Sequence, residues 1–182
     1  EIISDIAADE ERADLVLARI RSMIKQQTFT VSRIDPVAVV RDAATLAQVR
    51  LKNAGISLSV DCPAAFPEIT GDSILLQQAL LNLINNSADA IGAAGDRLGQ
   101  AGAITIRLRQ EDRSAAFIVS DNGRGIDEQT HSLEQVLQPF ETNRPDGLGM
   151  GLPIVTTIAE QHSGSLSLDN RPGDGLTVTL KV

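Results

Sequence analysis

Asp121-Asn122-Gly123-Arg124-Gly125-Ile126 follows the apolar stretch Phe117-Ile118-Val119 and opens a mostly polar, glycine-bearing segment that runs to Gly151. Compact domains rarely carry a loop of about thirty residues without a use for it. At most one short helix, near Ser132 to Leu137, interrupts it. Before it, Ile104 to Leu108 and Ala115 to Ser120 read as two strands across the polar turn Gln110-Glu111-Asp112-Arg113. After it come a helix from Gly149 to about Gln161 and two closing strands, Ser165 to Leu168 and Gly175 to Val182.

Further towards the N-terminus, Gly92 to Gly102 reads as a loop, and Ile74 to Ile91 as a long helix with Leu75, Ala79, Asn82, Asn86 and Ala90 close to one stripe. Gly71-Asp72-Ser73 leads into that helix from a short extended piece near Ile69, and Ile56-Ser57-Leu58-Ser59-Val60 alternates as a half-buried strand does. The order after residue 54 is therefore β, α, ββ, long loop, α, ββ. Repeating βα units are missing, so an α+β sandwich with helices on one side fits better than a doubly wound parallel sheet.

Asp35-Pro36 supplies an N-cap and a first-turn proline for a helix to about Asn53, with Val37, Val40, Ala44, Leu46, Ala47 and Leu51 suited to one buried face. Gln26 to Val31 breaks an earlier pattern. In residues 1–27, Ile3, Leu17 and Ile24 fall with Ile6, Ala13 and Ile20 on a seven-residue repeat, Glu10 being the misfit. That is a helix with a bundle-type seam, suited to pairing with a second copy. The chain starts at Glu1 in helix-like sequence without an initiating methionine, which reads as a piece of something longer.

The 182 residues have room for one domain plus a short helical extension. With 42% hydrophobic and 22% charged side chains, the chain is globular in composition. Its net charge of -8 disfavours nucleic acid or an anionic membrane surface as partner. The single cysteine, Cys62, reads as a semi-buried strand-end residue in a reducing compartment. No apolar run approaches the roughly 20 residues that span a bilayer, so the expectation is a soluble, cytoplasmic chain without direct membrane contact.

Four short clusters could carry chemistry. Asn82 and Asn86 lie four apart in Asn82-Leu83-Ile84-Asn85-Asn86-Ser87-Ala88-Asp89-Ala90 and share a helix face. Amides among leucines suit interhelical hydrogen bonds, and an amide oxygen equally suits Mg²⁺, which prefers oxygen donors and keeps water and phosphate ligands. Asp121 at a strand end could accept from an exocyclic amine such as adenine's, although Asp-Asn-Gly also makes a good Asx turn. The third cluster is Pro139-Phe140-Glu141-Thr142. In the fourth, Gly147-Leu148-Gly149-Met150-Gly151-Leu152, a loop meets a helix N-terminus, where backbone N–H groups favour phosphate. Its spacing matches neither the dinucleotide fingerprint nor a Walker loop.

In this order the clusters resemble the N, G1, F and G2 boxes of the ATP-binding domain of sensor histidine kinases, from about Gly71 to the C-terminus. Gly173-Asp174-Gly175-Leu176-Thr177 is similar to the last glycine box. The resemblance implies the Bergerat fold, a two-layer α/β sandwich with a mixed sheet, over residues 28–182. It also implies that residues 1–27 are the end of the dimerisation and phosphoacceptor hairpin. Asn86 would hold Mg²⁺ against the triphosphate, with Asn82 on metal or phosphate and Asp89 in the same binding set. Asp121 would bond the adenine amino group with a water near Thr177, and Gly123, Gly125 and Ile126 would line the slot. Gly147, Leu148, Gly149, Met150, Gly151 and Leu152 would wrap the phosphates. Residues 127–148 would be the ATP lid, carrying Phe140, Thr142 and Arg144, the last as a phosphate cation.

The lid departs from the family pattern, because Asn143 and Arg144 stand where relatives often carry threonine and lysine. Asn82 stands where hydrolysing relatives place a glutamate base, and an amide takes no proton from water. The implied reaction is transfer of the ATP γ-phosphoryl to a histidine on the dimerisation helix, and then to a response regulator receiver domain. His131, in the lid, and His162, at a helix end, are poor acceptors, so the acceptor is expected outside this chain. The rivals are an ATPase of the gyrase or chaperone kind, a serine-kinase regulator of sigma factors, and a degenerate kinase domain serving as a docking module.

Overall fold

A computed structural model describes residues 29–95, 101–111, 114–127, 132–138 and 149–182. The expected helix over residues 1–27 and most of the expected lid, 128–131 and 139–148, lie outside them. Residues 31–182 form one compact unit.

β1 (Ser32–Ile34) pairs antiparallel with β3 (Ile69–Gly71) in a two-stranded sheet. The larger sheet has the order β2-β4-β5-β7-β6, formed by β2 (Ser57–Asp61), β4 (Ala103–Glu111), β5 (Ser114–Asp121), β6 (Ser165–Arg171) and β7 (Gly175–Lys181). β2 runs parallel to β4 and every other neighbour is antiparallel, so the sheet is mixed. Helices α1 (Pro36–Asn53), α2 (Ser73–Ala94) and α3 (Gly151–Gln161) pack on it, with α2 between the other two.

Strand alternation explains why one face alone is covered. Ile104, Ile106 and Leu108 of β4, Phe117 and Val119 of β5, and Val178 and Leu180 of β7 point into the helical layer and are buried. Their register partners coincide row by row: Leu108 opposes Phe117, which opposes Leu180. The intervening Thr105, Arg107, Ile118, Ser120, Thr179 and Lys181 are only partly covered. The α+β, two-layer architecture expected from the sequence is the one observed.

Helix ends follow local chemistry. Asp35 caps α1 by accepting from Val37 N–H at 2.9 Å, with Pro36 in the first turn. Asp72 caps α2, accepting from Ile74 and Leu75 N–H at 3.0 and 3.2 Å. The buried face of α1 holds Val37, Val40, Ala47 and Leu51 as expected, together with Val39 and Ala43. Leu46 is 60% exposed, because it lies on the far side of the helix from that face. α2 continues past Gly92 to Ala94, and the central hairpin is longer than expected, with β4 reaching Glu111. Among the described residues no helix is long and apolar enough to cross a membrane.

His162, at the end of α3, ties two helix ends together. Its Nε2 accepts from Asp72 N–H at 3.0 Å while Nδ1 lies 2.8 Å from the Ile158 carbonyl, which requires the Nδ1–H tautomer.

Candidate functional site

Asp121 is the last residue of the inward row Ala115, Phe117, Val119, so strand periodicity alone turns its carboxylate from the open sheet face to the helix layer. There it is 6% exposed. Oδ1 accepts from Gly123 N–H at 2.9 Å and from Leu176 N–H at 3.4 Å, and Oδ2 accepts from the Ser87 hydroxyl at 2.8 Å. Burial pushes the carboxyl above its ordinary value, against the lowering pull of Gly123, Ser87, Leu176 and the Arg171 guanidinium. A buried carboxylate with this many donors is more than an Asx turn, although the Gly123 bond is also the Asx-turn bond.

The loop after Asp121 is pinned from several sides. Asn122 accepts from Ala103 N–H at 2.8 Å and donates to the Ala101 carbonyl at 2.9 Å. Gly123 passes so close to α2 that a Cβ would lie 2.8 Å from the Ala90 carbonyl carbon. Asn170 of β6 grips Ile126 twice, accepting from its N–H at 2.8 Å and donating to its carbonyl at 2.9 Å. Gly125, between them, takes a φ of 67° and presses against the Arg171 carbonyl. Gly123, Gly125 and Ile126 therefore form a fixed rim beside Asp121.

On α2, Asn82 and Asn86 sit one turn apart and half-buried. Asn82 Nδ2 is buried with no hydrogen-bond partner among the described residues. Such an orphaned donor is costly in a core and is usual where a ligand completes the shell. The Asn86 carboxamide lies against the first residue of α3: a Cβ on Gly151 would come within 2.8 Å of Nδ2 and 2.9 Å of Oδ1. Gly149, Met150, Gly151 and Leu152 lead into α3, whose N-terminus has no side-chain cap and carries Pro153, which lacks an N–H, in its first turn. The helix N-terminus and the Asn86 carboxamide thus meet, with Asn82 one turn earlier on the same helix face, an arrangement suited to phosphate oxygens and a hard cation.

Two expected members are engaged with partners of their own. Thr177 opposes Ser120, not Asp121, and donates to the Ser120 hydroxyl at 3.0 Å on the open face of the sheet. Alternation by one residue therefore turns its side chain away from Asp121, and the Leu176 N–H bonds Asp121 instead. Asp89 is paired with Arg50 of α1, which also donates to Asn85 Oδ1 at 2.5 Å. Seven positions after Asn82, Asp89 lies on the same helix stripe, at its edge towards α1, where Arg50 engages it. Phe140, Thr142, Arg144, Gly147 and Leu148 lie outside the described residues. Ser87 and Asn170 were not singled out from the sequence; their partners are 34 and 44 positions away, so no local spacing announces them.

Residues 71–182 match the family of histidine kinase-, DNA gyrase B- and HSP90-like ATPases. The chain is 32% identical over 175 residues to the sensor histidine kinase TmoS of Ectopseudomonas mendocina, covering 96% of this chain and 18% of that protein. Among solved structures, the mycobacterial sensor histidine kinase MprB superposes with a TM-score of 0.66 at 27% identity, covering 84% of this chain and 97% of that one. The histidine kinase ThkA in complex with the response regulator TrrA shares the fold, with a TM-score of 0.74 at 19% identity, over 100% of this chain and 50% of that one. The chain spans about a fifth to about a third of the length of the curated relatives it matches. It belongs to the histidine kinase-, DNA gyrase B- and HSP90-like ATPase family, and within it to the ATP-binding domains of sensor histidine kinases.

Proposed function

We propose that this domain binds Mg²⁺-ATP beside α2, the 121–126 loop and the start of α3, and presents the γ-phosphoryl to a histidine on a dimerisation helix. The observation that carries this reading is the contact of the Asn86 carboxamide with the first residue of α3, together with Asn82 Nδ2, one turn earlier on the same helix face, as a buried donor with no partner among the described residues. A carboxamide at an uncapped helix start, with an orphaned amide donor one turn away, fits a phosphate chain and a hard cation better than it fits a closed apolar core.

Asn86 is the residue that holds Mg²⁺ through its carboxamide oxygen, and the ion supplies neutralisation of phosphate charge. Asn82 donates to a phosphate oxygen. Asp121 accepts from the adenine amino group, and the pinned rim of Gly123, Gly125 and Ile126 walls the base. Leu148 to Leu152 present backbone N–H groups to the phosphates, Arg144 meets their charge, and Phe140 and Thr142 belong to the lid. Phosphoryl transfer asks mainly for positioning and charge neutralisation, which these groups provide.

Asn82, one turn before Asn86, is an amide and takes no proton from water, which favours transfer over hydrolysis. His162 is not an acceptor, because both ring nitrogens are engaged within the fold. The acceptor is a histidine on the dimerisation hairpin, and the phosphoryl group passes from it to a response regulator receiver domain on the cytoplasmic side. The test is to mix the domain with labelled ATP and a separate hairpin bearing the acceptor helix. Acid-labile, base-stable label on the hairpin supports the reading; steady phosphate release with an unlabelled hairpin overturns it.

A further inference from the structure

Ser87 is almost fully buried, at 6% exposure, on the sheet-facing side of α2, one turn after Leu83 and beside Ala88. As a small residue in a packed seam it would need no hydroxyl. Yet that hydroxyl donates to Asp121 Oδ2 at 2.8 Å, across 34 positions of sequence. A carboxylate offers about four lone-pair sites, two on each oxygen. The N–H groups of Gly123 and Leu176 take both on Oδ1, and Ser87 takes one on Oδ2. Among the described residues nothing else donates to Asp121, so a single acceptor site remains, on Oδ2.

We propose that Ser87 is a specificity-positioning residue: by donating to Asp121 Oδ2 it keeps that oxygen a pure acceptor and selects purines that bear an amino group at C6 over those that bear a carbonyl. The inference rests on the reading of the Asp121 surroundings as a nucleotide site and assigns its discrimination to a residue that touches no ligand itself. An acceptor-only oxygen pairs with the adenine amino group and repels the guanine O6, which is also an acceptor. Without the serine hydroxyl, Oδ2 loses the donor that keeps a proton off it, and a protonated Oδ2 can donate to a carbonyl. Burial already favours that proton, and Arg171 on β6 is the charged side chain that opposes it.

The experiment is calorimetric titration of the whole chain with ATP and with GTP, in four forms: wild type, Ser87→Ala, Asp121→Asn and the double variant. Thermal melts of each establish folding. Ser87→Ala is expected to weaken ATP about tenfold while changing GTP by less than about twofold. In the Asp121→Asn background the same change is expected to leave the ATP:GTP ratio where it was. Ser87→Cys keeps a weak donor at similar volume and is expected to fall between serine and alanine. It also replaces the alanine variant if that one does not fold. A wild-type ATP:GTP ratio in Ser87→Ala, or an equal shift with and without the Asp121 carboxylate, overturns this inference alone. A wild-type chain that binds neither nucleotide overturns the nucleotide reading and this inference with it.

Discussion

The Asn86 carboxamide and the Gly151 backbone are in contact across the α2–α3 seam, so close that a Cβ on Gly151 would come within 2.8 Å of Asn86 Nδ2. The contact sets the distance between the proposed metal ligand and the helix end proposed to face phosphate. Each end depends on the other being where it is.

Gly151→Ala tests that dependence. Alanine is a better helix former than glycine, so α3 itself gains up to about 1 kcal/mol of intrinsic propensity. The added methyl nevertheless displaces the Asn86 amide. ATP affinity is expected to fall by about tenfold or more, with the melting temperature held or lowered only slightly. Titration calorimetry beside a thermal melt separates the two effects, and unchanged affinity would remove the seam from the account.

Asn86→Ala removes the amide while sparing the apolar face of α2 formed by Leu76, Leu80, Leu83 and Ile84. The expected result is a folded domain whose residual ATP binding no longer responds to Mg²⁺. Titrations with and without the cation read this directly. A variant that keeps the wild-type Mg²⁺ response would refute the metal role.

His162→Leu leaves the Asp72 N–H and the Ile158 carbonyl without their ring partners. The expected cost is about 1–3 kcal/mol, a fall in melting temperature of roughly 3–10 °C for a chain of this size. Phosphoryl transfer to an added hairpin should persist in the folded variant. Loss of transfer with an undisturbed melt would instead make His162 part of the chemistry.

Asp121 predicts a pH dependence of stability. Its folded pKa is raised from 3.8, so between that unfolded value and the higher folded one the native state binds more protons than the unfolded state. Its stabilising contribution is therefore complete below 3.8 and lost as pH rises through the folded value. Asp121→Asn keeps an acceptor for Gly123 and Leu176 and carries no charge. Relative to wild type it should gain in melting temperature on going from acid to neutral pH. A difference that is flat with pH would contradict the burial argument.

Most of the fold was legible because its signals are local. Asp35-Pro36 and Gly71-Asp72-Ser73 fix helix starts through caps, and the alternation in 104–108 and 115–120 fixes the central hairpin and its inward row. β1 was missed because three residues, Ser32–Ile34, carry too little alternation and owe their strand state to pairing with β3. The extension of β6 through Asp169-Asn170-Arg171 is likewise a gift of β7, since those polar side chains have no strand pattern of their own. At the proposed site, spacing placed Asn82 and Asn86 on one helix face and Asp121 beside Gly123, and the described residues show both arrangements. Thr177 could not be settled that way, because one residue of register decides which sheet face a side chain takes. Asp89 was equally hidden, since its partner Arg50 lies on another helix 39 positions away.

The most direct test of the central claim is a calorimetric titration of the chain with ATP, with and without Mg²⁺. The account predicts saturable binding at one site per chain, weakened markedly when the cation is withdrawn. Absence of binding, or binding indifferent to Mg²⁺, would contradict it.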